Sequence, residues 1–359
     1  MKKEEVNTSD SSGTDGYPPI VPGMPAQKKR NSPISPKENY EMFYSGKLPM
    51  WLPLFCDIRL MSPRLHPDNM ARCAVIDANP LSEQEKTGGK DIFGIEWKYI
   101  PVAGGSMVEP GTPLLSDVND WERLISFPDV NTWDWEGAAK SNAKLIGEDR
   151  FICVSIFNGL FERLISFMDF EGAALALIDD DQKGAVHALF SALCDHYEKI
   201  IENYKKYFNA QLINFHDDWG SQRSPFFSLD TAMEMLVPYL GRLADCIHSK
   251  GMYLDLHSCG KNELLVPAYI EAGVDTWSGQ PMNDTDMLFS KYGDKIKLGL
   301  YPDIAFTAET TDKSAAQSGK RFVRKYGSFM EHKPFNCAEM MAPDAFNDAV
   351  YEESLKMFG

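Results

Sequence analysis

The sequence predicts an α/β protein, built as a single (β/α)₈ barrel that follows a disordered amino-terminal tail. Short apolar runs alternate with helical patterns along most of the chain, an order typical of parallel strands joined by crossover helices. About eight strand candidates occur in this order, which suits a closed barrel better than an open sheet. The length of 359 residues is compatible with one such barrel.

The tail comes first in the chain. Residues 1–38 are rich in proline, serine, glycine and lysine and have no apolar periodicity. Such a segment buries too little apolar surface to offset the entropy of ordering it, so we expect it to be flexible. Prolines interrupt its only apolar run, which argues against a secretory signal. The barrel domain is therefore expected to span residues 39–359.

The strand candidates follow in order. They are residues 51–57, 97–102, 151–157, 211–218, 252–259, 274–280, 296–301 and 334–337. Two helix patterns between them are clear. Residues 181–207 repeat apolar side chains at close to 3.6-residue spacing, and residues 228–250 begin with Ser228 as an N-cap. Pro238 predicts a kink or break in the second helix.

Charge and cysteine content exclude several classes of protein. The chain has 36 Lys and Arg against 52 Asp and Glu, a net charge of −16, which disfavours nucleic-acid binding. No run of about 18 apolar residues is present, which argues against a membrane span. Seven scattered cysteines do not suggest a disulfide framework, and they fit a reducing, cytoplasmic location.

The strongest candidate site lies at the end of the 252–259 strand. His257 and Cys259 are two residues apart, so they project from the same face of the strand. An imidazole and a thiol in this arrangement can bind one metal ion with a third ligand from another strand end. Cys337, at the end of the 334–337 strand, is the best-placed candidate. A His–Cys–Cys set suits Zn²⁺ and leaves one coordination position open for chemistry.

Two other interpretations apply to these residues. Cysteine is often a small buried hydrophobic residue, as we expect for Cys153, Cys194 and Cys246. The stretch DLHSCG, residues 255–260, also matches the D-x-H-x-x-G pattern in which corrinoid-binding domains present a histidine to cobalt. The Ser-x-Leu element and Gly-Gly pair that should follow that pattern do not occur downstream. We therefore favour zinc over cobalt as the partner of His257.

Further candidates occupy the ends of other strands. Asp217 and Asp218 are adjacent carboxylates, so one of them can retain its proton and act as a catalytic acid. Successive side chains of a strand point to opposite faces, so only one of the two carboxylates should face the barrel mouth. The alternative is a structural role, as a turn cap or an ion pair with Arg223. Gln280 and Tyr301 are candidate substrate-binding residues, although ordinary loop capping would select the same residue types.

The motifs NFHDDWG at 214–220, DLHSCG at 255–260 and DTWSGQP at 275–281 resemble the uroporphyrinogen decarboxylase superfamily. The closer likeness is to its zinc- and corrinoid-dependent methyltransferase branch, and it runs from about residue 39 to the carboxyl terminus. The resemblance implies a (β/α)₈ barrel with zinc bound by His257, Cys259 and Cys337. It implies methyl transfer, such as O-demethylation, between a small methylated ether, amine or thiol and a cobalamin-type corrinoid on a partner protein.

The decarboxylases themselves offer an alternative function. They carry an arginine-rich R-Q-A-G-R-Y segment that binds substrate carboxylates, whereas this chain has only Arg59 and Arg64 in the corresponding region. Arg59 is therefore the candidate for that contact. A tetrapyrrole with many carboxylates also fits poorly with a net charge of −16. A carboxy-lyase of the uroporphyrinogen decarboxylase type remains the alternative enzyme, and an inert homologue that binds the corrinoid protein is a further one.

Overall fold

A computed structural model describes residues 16–20, 25–102 and 105–358. The strands within these residues are β1 Gly16–Tyr17, β2 Gln27–Lys28, β3 Ile58–Met61, β4 Gly88–Lys90, β5 Glu96–Ile100, β6 Gly105–Val108, β7 Phe151–Ile156, β8 Leu212–His216, β9 Tyr253–His257, β10 Thr276–Trp277, β11 Lys297–Leu300 and β12 Phe335–Cys337. The α-helices are α1 Pro36–Tyr44, α2 Pro67–Ala71, α3 Trp121–Leu124, α4 Trp135–Ser141, α5 Ala143–Ile146, α6 Leu160–Ala176, α7 Lys183–Phe208, α8 Leu229–Met235, α9 Val237–Ser249, α10 Val266–Glu271, α11 Thr285–Tyr292, α12 Asp312–Tyr326 and α13 Asp344–Phe358.

The central sheet has seven parallel strands in the order β12-β11-β10-β9-β8-β7-β3. The sheet curls, so that β12 at one edge meets the residues that precede β3 at the other edge. Leu54 forms a parallel bridge with Cys337, and the Cys337 N–H donates to the Pro53 carbonyl at 2.9 Å. Every residue of β7 is buried, as expected for a strand covered on both faces. The predicted α/β class is confirmed, whereas the predicted count of eight barrel strands is not, because this sheet has seven among the described residues.

One predicted barrel strand is wrong. The 97–102 run forms β5, which pairs with β4 and β6 in a separate antiparallel sheet. Its side chains alternate, with Trp97 buried and its neighbours Glu96 and Lys98 exposed. This alternation is typical of an antiparallel strand with one solvated face, and not of a barrel strand covered on both faces.

The first predicted strand also differs in position. Residues 55–57 form a 3₁₀ turn, and regular pairing with β7 begins only at Ile58. The Asp57 carboxylate accepts the Leu54 N–H at 3.3 Å and the Trp51 indole N–H at 2.9 Å. These hydrogen bonds stabilise a turn where the apolar pattern predicted a continuous strand.

Part of the expected tail packs against the domain. Residues 16–20 and 25–35 include the β1–β2 pair and contact residues far away in the sequence. The Tyr17 hydroxyl donates to Asp149 at 2.5 Å, and Arg59 donates to two proline carbonyls of the segment. Polar contacts and the burial of Tyr17 and Ile20 against the domain thus hold a stretch that lacks apolar periodicity. Residues 1–15 and 21–24, which also belong to the segment that we expect to be flexible, lie outside the described residues.

The two clearest helix predictions are confirmed. The apolar stripe of 181–207 becomes the buried face of α7. The 228–250 pattern divides into α8 and α9, with the Ser228 hydroxyl accepting the Thr231 N–H at 3.1 Å and Pro238 in the first turn of α9. Among the described residues, none of the helices combines the length and the apolarity that crossing a membrane would require.

Candidate metal centre

The site forms where β8 and β9 end side by side. The two strands are parallel neighbours in which His216 aligns with His257. Their pairing continues beyond the strands, because the Asp217 N–H donates to the His257 carbonyl at 2.9 Å and the Lys261 N–H to the Ser221 carbonyl at 2.7 Å. The side chains that follow the two strands are therefore held close together.

Gly260 permits this close approach. Its φ of +98° lies in the left-handed region that favours glycine. A Cβ at this position would lie 2.3 Å from the carbonyl carbon of Gly220, in the neighbouring loop. Any larger residue would push apart the two loops that carry the site.

Asp218, His257 and Cys259 form the one group of potential metal ligands found among the described residues. One ligand atom from each lies within 4.8 Å of the other two. His257 Nε2 is 3.2 Å from Cys259 Sγ and 3.8 Å from Asp218 Oδ1. The side chains of His257 and Asp218 are 37% and 32% exposed, so a small molecule can reach them from the barrel mouth.

The donor set and its spacing fit zinc. Imidazole nitrogen, thiolate sulfur and carboxylate oxygen are all ordinary zinc ligands. Tetrahedral coordination with ordinary bond lengths separates such donors by roughly 3.3–3.6 Å. The two measured separations, 3.2 Å and 3.8 Å, lie on either side of that range. The separations of His257 from Cys259 and from Asp218 are thus close to those of a coordinated ion, and the third pair of donors lies within 4.8 Å.

Burial sets the protonation of two of these groups. It lowers the pKa of His257, against the opposing charge of Asp218, and so favours the neutral imidazole that binds metals. Burial and the Asp218 carboxylate raise the pKa of the Cys259 thiol to about 12. A metal ion at this site must therefore displace the thiol proton, which makes metal binding dependent on pH.

Cys337 lies outside this group. It is buried at the end of β12, where it aligns with Leu300 of β11, and β10 and β11 separate its strand from β9. Burial raises the pKa of its thiol to about 12. A role for Cys337 as a metal ligand stays a prediction, and Asp218 is the third donor that lies near His257 and Cys259.

Asp217 points away from this group. Its carboxylate accepts the backbone N–H groups of Phe161 and Glu162, at 3.2 Å and 2.9 Å, and the Trp219 indole N–H at 2.8 Å. The carboxylate therefore caps α6, because the N–H groups of the first turn have no acceptor within the helix and favour a nearby negative charge. Burial raises its pKa to about 6. These contacts give Asp217 a structural role, and a catalytic role for it stays a prediction.

Gln280 lies at the site and Tyr301 lies beside it. The Gln280 side chain accepts the Gly260 N–H at 2.7 Å and places its amide nitrogen 3.5 Å from Cys259 Sγ. Tyr301 lines a cleft of about 480 Å³ together with Asp303. Substrate contacts for Gln280 and Tyr301 stay predictions.

Arg59 lies at the other end of the sheet, and a substrate contact for it stays a prediction. It aligns with Ile152, near the start of β7. Its guanidinium is 1% exposed, binds the Glu148 carboxylate at 2.9 Å and 3.0 Å, and also holds the amino-terminal segment. Arg59 thus stabilises the fold at the end opposite to the candidate site.

Three residues near the site were not predicted from the sequence. Arg72 donates to Asn158 at 2.8 Å and to Glu162 at 3.2 Å. Burial raises the pKa of Glu162 to about 8, in opposition to the Arg72 charge. Asn158 lies two residues beyond the end of β7, so its place near a strand end was a usable signal. Arg72 lies in the long excursion between β3 and β7, where no sequence pattern marks it.

A polar layer lies beneath the metal ligands. The His216 ring stacks on His257 with ring centroids 4.4 Å apart. His216 Nε2 contacts Asn214 Oδ1 at 2.5 Å, and Asn214 donates to Asp255 at 2.6 Å. Burial lowers the pKa of His216 well below its usual range and raises that of Asp255 to about 7. The layer therefore supports His257 without adding a cation beside the site.

No protein-family model matches this sequence, and no curated protein matches it significantly. The resemblance to the uroporphyrinogen decarboxylase superfamily therefore stays a prediction. Among solved structures, the chain is similar to a methyltransferase from Methanosarcina mazei, with a TM-score of 0.56 and 14% identity over 90% of this chain and 99% of that one.

Two further solved structures match at lower similarity. A chitinase from Chromobacterium violaceum gives a TM-score of 0.33 with 13% identity over 59% of this chain and 82% of that one. A sugar phosphate isomerase/epimerase from Parabacteroides distasonis gives a TM-score of 0.33 with 8% identity, over 68% of this chain and 80% of that one. A TM-score of 0.33 supports no conclusion. The comparisons thus show that this chain shares its fold with the Methanosarcina mazei methyltransferase over nearly its whole length.

Proposed function

We propose that this protein is a zinc-dependent methyltransferase that moves a methyl group between a small methylated substrate and a corrinoid protein. The observation that carries the proposal is the convergence of Asp218, His257 and Cys259 at the carboxyl ends of β8 and β9. Active sites of barrel enzymes lie at this end of the strands. The fold shared with a methyltransferase and the motifs within residues 214–281 support the same function.

His257 Nε2 and Cys259 Sγ would hold the zinc ion, with Asp218 or Cys337 as the third ligand. Zinc bound there would supply Lewis acidity toward the heteroatom that carries the methyl group. The remaining contacts orient the ligands. Asp218 accepts the Cys259 N–H at 2.7 Å and Gln280 accepts the Gly260 N–H at 2.7 Å, which holds the turn that presents the thiol.

Zinc content tests the proposed metal site directly. We expect about one zinc per chain in the purified protein, because three donors already lie together. Cys259→Ser should lose the zinc. Cys246→Ser is the matched control, because Cys246 is a half-buried thiol on α9, away from the site. Cys337→Ser identifies the third ligand: retention of zinc assigns Asp218, and loss assigns Cys337.

The methyl-transfer reaction needs a separate assay. The zinc-loaded protein is incubated with a Co(I) corrinoid protein and a panel of methyl ethers, methylamines and methyl thioethers, and cobalt methylation is followed by visible absorbance. We expect methylation with at least one donor and its loss in Cys259→Ser. Absence of methylation with every donor, in a protein that does bind zinc, would refute transfer from substrate to cobalt.

A further inference from the structure

Arg72 is held at the barrel mouth between two aromatic rings. Its guanidinium carbon lies 5.0 Å from the centroid of the Trp97 indole and 5.8 Å from that of the Phe157 ring. Trp97 belongs to the small antiparallel sheet, and Phe157 directly follows β7. The side chain is 21% exposed, so a small molecule can reach a cation whose position is already set.

The hydrogen bonds around Arg72 are incomplete. Both of its side-chain hydrogen bonds within the described part of the chain come from Nη1, to Asn158 Oδ1 and Glu162 Oε1. Guanidinium carries five N–H donors, and those on Nε and Nη2 are not used by these bonds. Asn158 Nδ2 and Glu162 Oε2 are buried and also lack a partner among the described residues. Such groups are costly to leave unpaired.

The charge of this cluster favours an anion. Burial raises the pKa of Glu162 to about 8, against the charge of Arg72, so this carboxyl group balances the guanidinium charge less than an ordinary carboxylate would. The Phe157 ring that packs against Arg72 lies 4.2 Å from the His216 ring between centroids, and His216 in turn stacks on His257 at 4.4 Å. These contacts place the guanidinium on the β7 side of the candidate metal ligands. An anionic group bound at Arg72 would therefore hold the rest of a small molecule beside those ligands.

We propose that Arg72 binds the carboxylate of the methylated substrate, so that the substrate class is small methylated carboxylic acids. The Nε and Nη2 nitrogens, whose three N–H groups are not used by the bonds to Asn158 and Glu162, match the two oxygens of a carboxylate. Asn158 and Glu162 position the guanidinium by hydrogen bonds, and the Trp97 and Phe157 rings pack near it. This inference rests on the proposed function, because it assigns the substrate of that site.

Binding of matched acids and amides tests the inference. The probes are 3-methoxybenzoate and methoxyacetate, each compared with its neutral amide, and calorimetry measures their affinity for the full-length protein with and without zinc. We expect at least one acid to bind about tenfold tighter than its amide. Arg72→Met should abolish this preference. Arg242→Met is the matched control, because Arg242 lies on α9 and is paired with Glu198 at 2.8 Å.

Equal affinity for acid and amide in both pairs, or an unchanged preference in Arg72→Met, would overturn the inference. Arg72→Lys keeps the charge but loses the two-pronged contact, so we expect a reduced preference in a folded protein even if Arg72→Met unfolds. These outcomes differ from failure of the proposed function. That failure would show as absent zinc or unmethylated cobalt, whereas the acid–amide comparison is read from binding alone.

Discussion

Replacing Asp217 by alanine should destabilise the fold strongly, because its carboxylate accepts two backbone N–H groups at the start of α6 and the Trp219 indole N–H. Loss of the cap at a helix N-terminus costs about 1 kcal/mol. The Trp219 indole N–H, on a side chain that is 0% exposed, would also lose its acceptor, which costs about 1–3 kcal/mol. Together these effects predict a decrease of about 2–4 kcal/mol in the free energy of unfolding.

Urea unfolding followed by circular dichroism measures this decrease, and an unchanged denaturant slope would confirm that only stability has changed. Asp218→Ala is the matched control. The Asp218 side chain is 32% exposed and accepts one backbone N–H, so its removal should cost less than about 1.5 kcal/mol while weakening zinc binding. Equal losses for the two variants, or a loss below about 0.5 kcal/mol for Asp217→Ala, would refute the capping role.

Three further predictions concern the surroundings of the site. Burial raises the pKa of Asp255 to about 7 in the folded protein. The protonated carboxyl group therefore contributes its full stabilisation of the fold below about pH 4, and this contribution is lost as the pH rises to about 7. Asp255→Asn should flatten this part of the pH profile of urea unfolding. Gly260→Ala forces a Cβ against the Gly220 backbone and should weaken zinc binding by about tenfold or more in a chelator competition; unchanged affinity would show that the turn does not set the ligand geometry. The Arg163 guanidinium lies 2.5 Å from the carboxylates of Asp68 and Asp91, and Arg163→Met leaves both carboxylates buried without this cation. Urea unfolding should then show a decrease of about 3–5 kcal/mol in the free energy of unfolding. A decrease below about 1 kcal/mol would contradict the importance of these two ion pairs.

The sequence alone determined the features that depend on neighbouring residues. Apolar residues located β7, β8, β9, β11 and β12, although polar residues such as Asn214 and Asp255 alternate with them in β8 and β9. The two-residue spacing of His257 and Cys259 placed both side chains at one strand end, where the structure brings them within 3.2 Å. Pro238 marked the junction of α8 and α9 because proline cannot continue a helical hydrogen-bond pattern.

The tertiary structure alone decided which residues from distant segments meet. It placed β5 outside the barrel sheet and brought Trp97 to Arg72. It divided two adjacent carboxylates between a helix cap and the candidate metal centre, where Asp218 lies beside His257 and Cys259. Local periodicity specifies the face from which a side chain projects, but the order and curvature of the strands determine what that face meets.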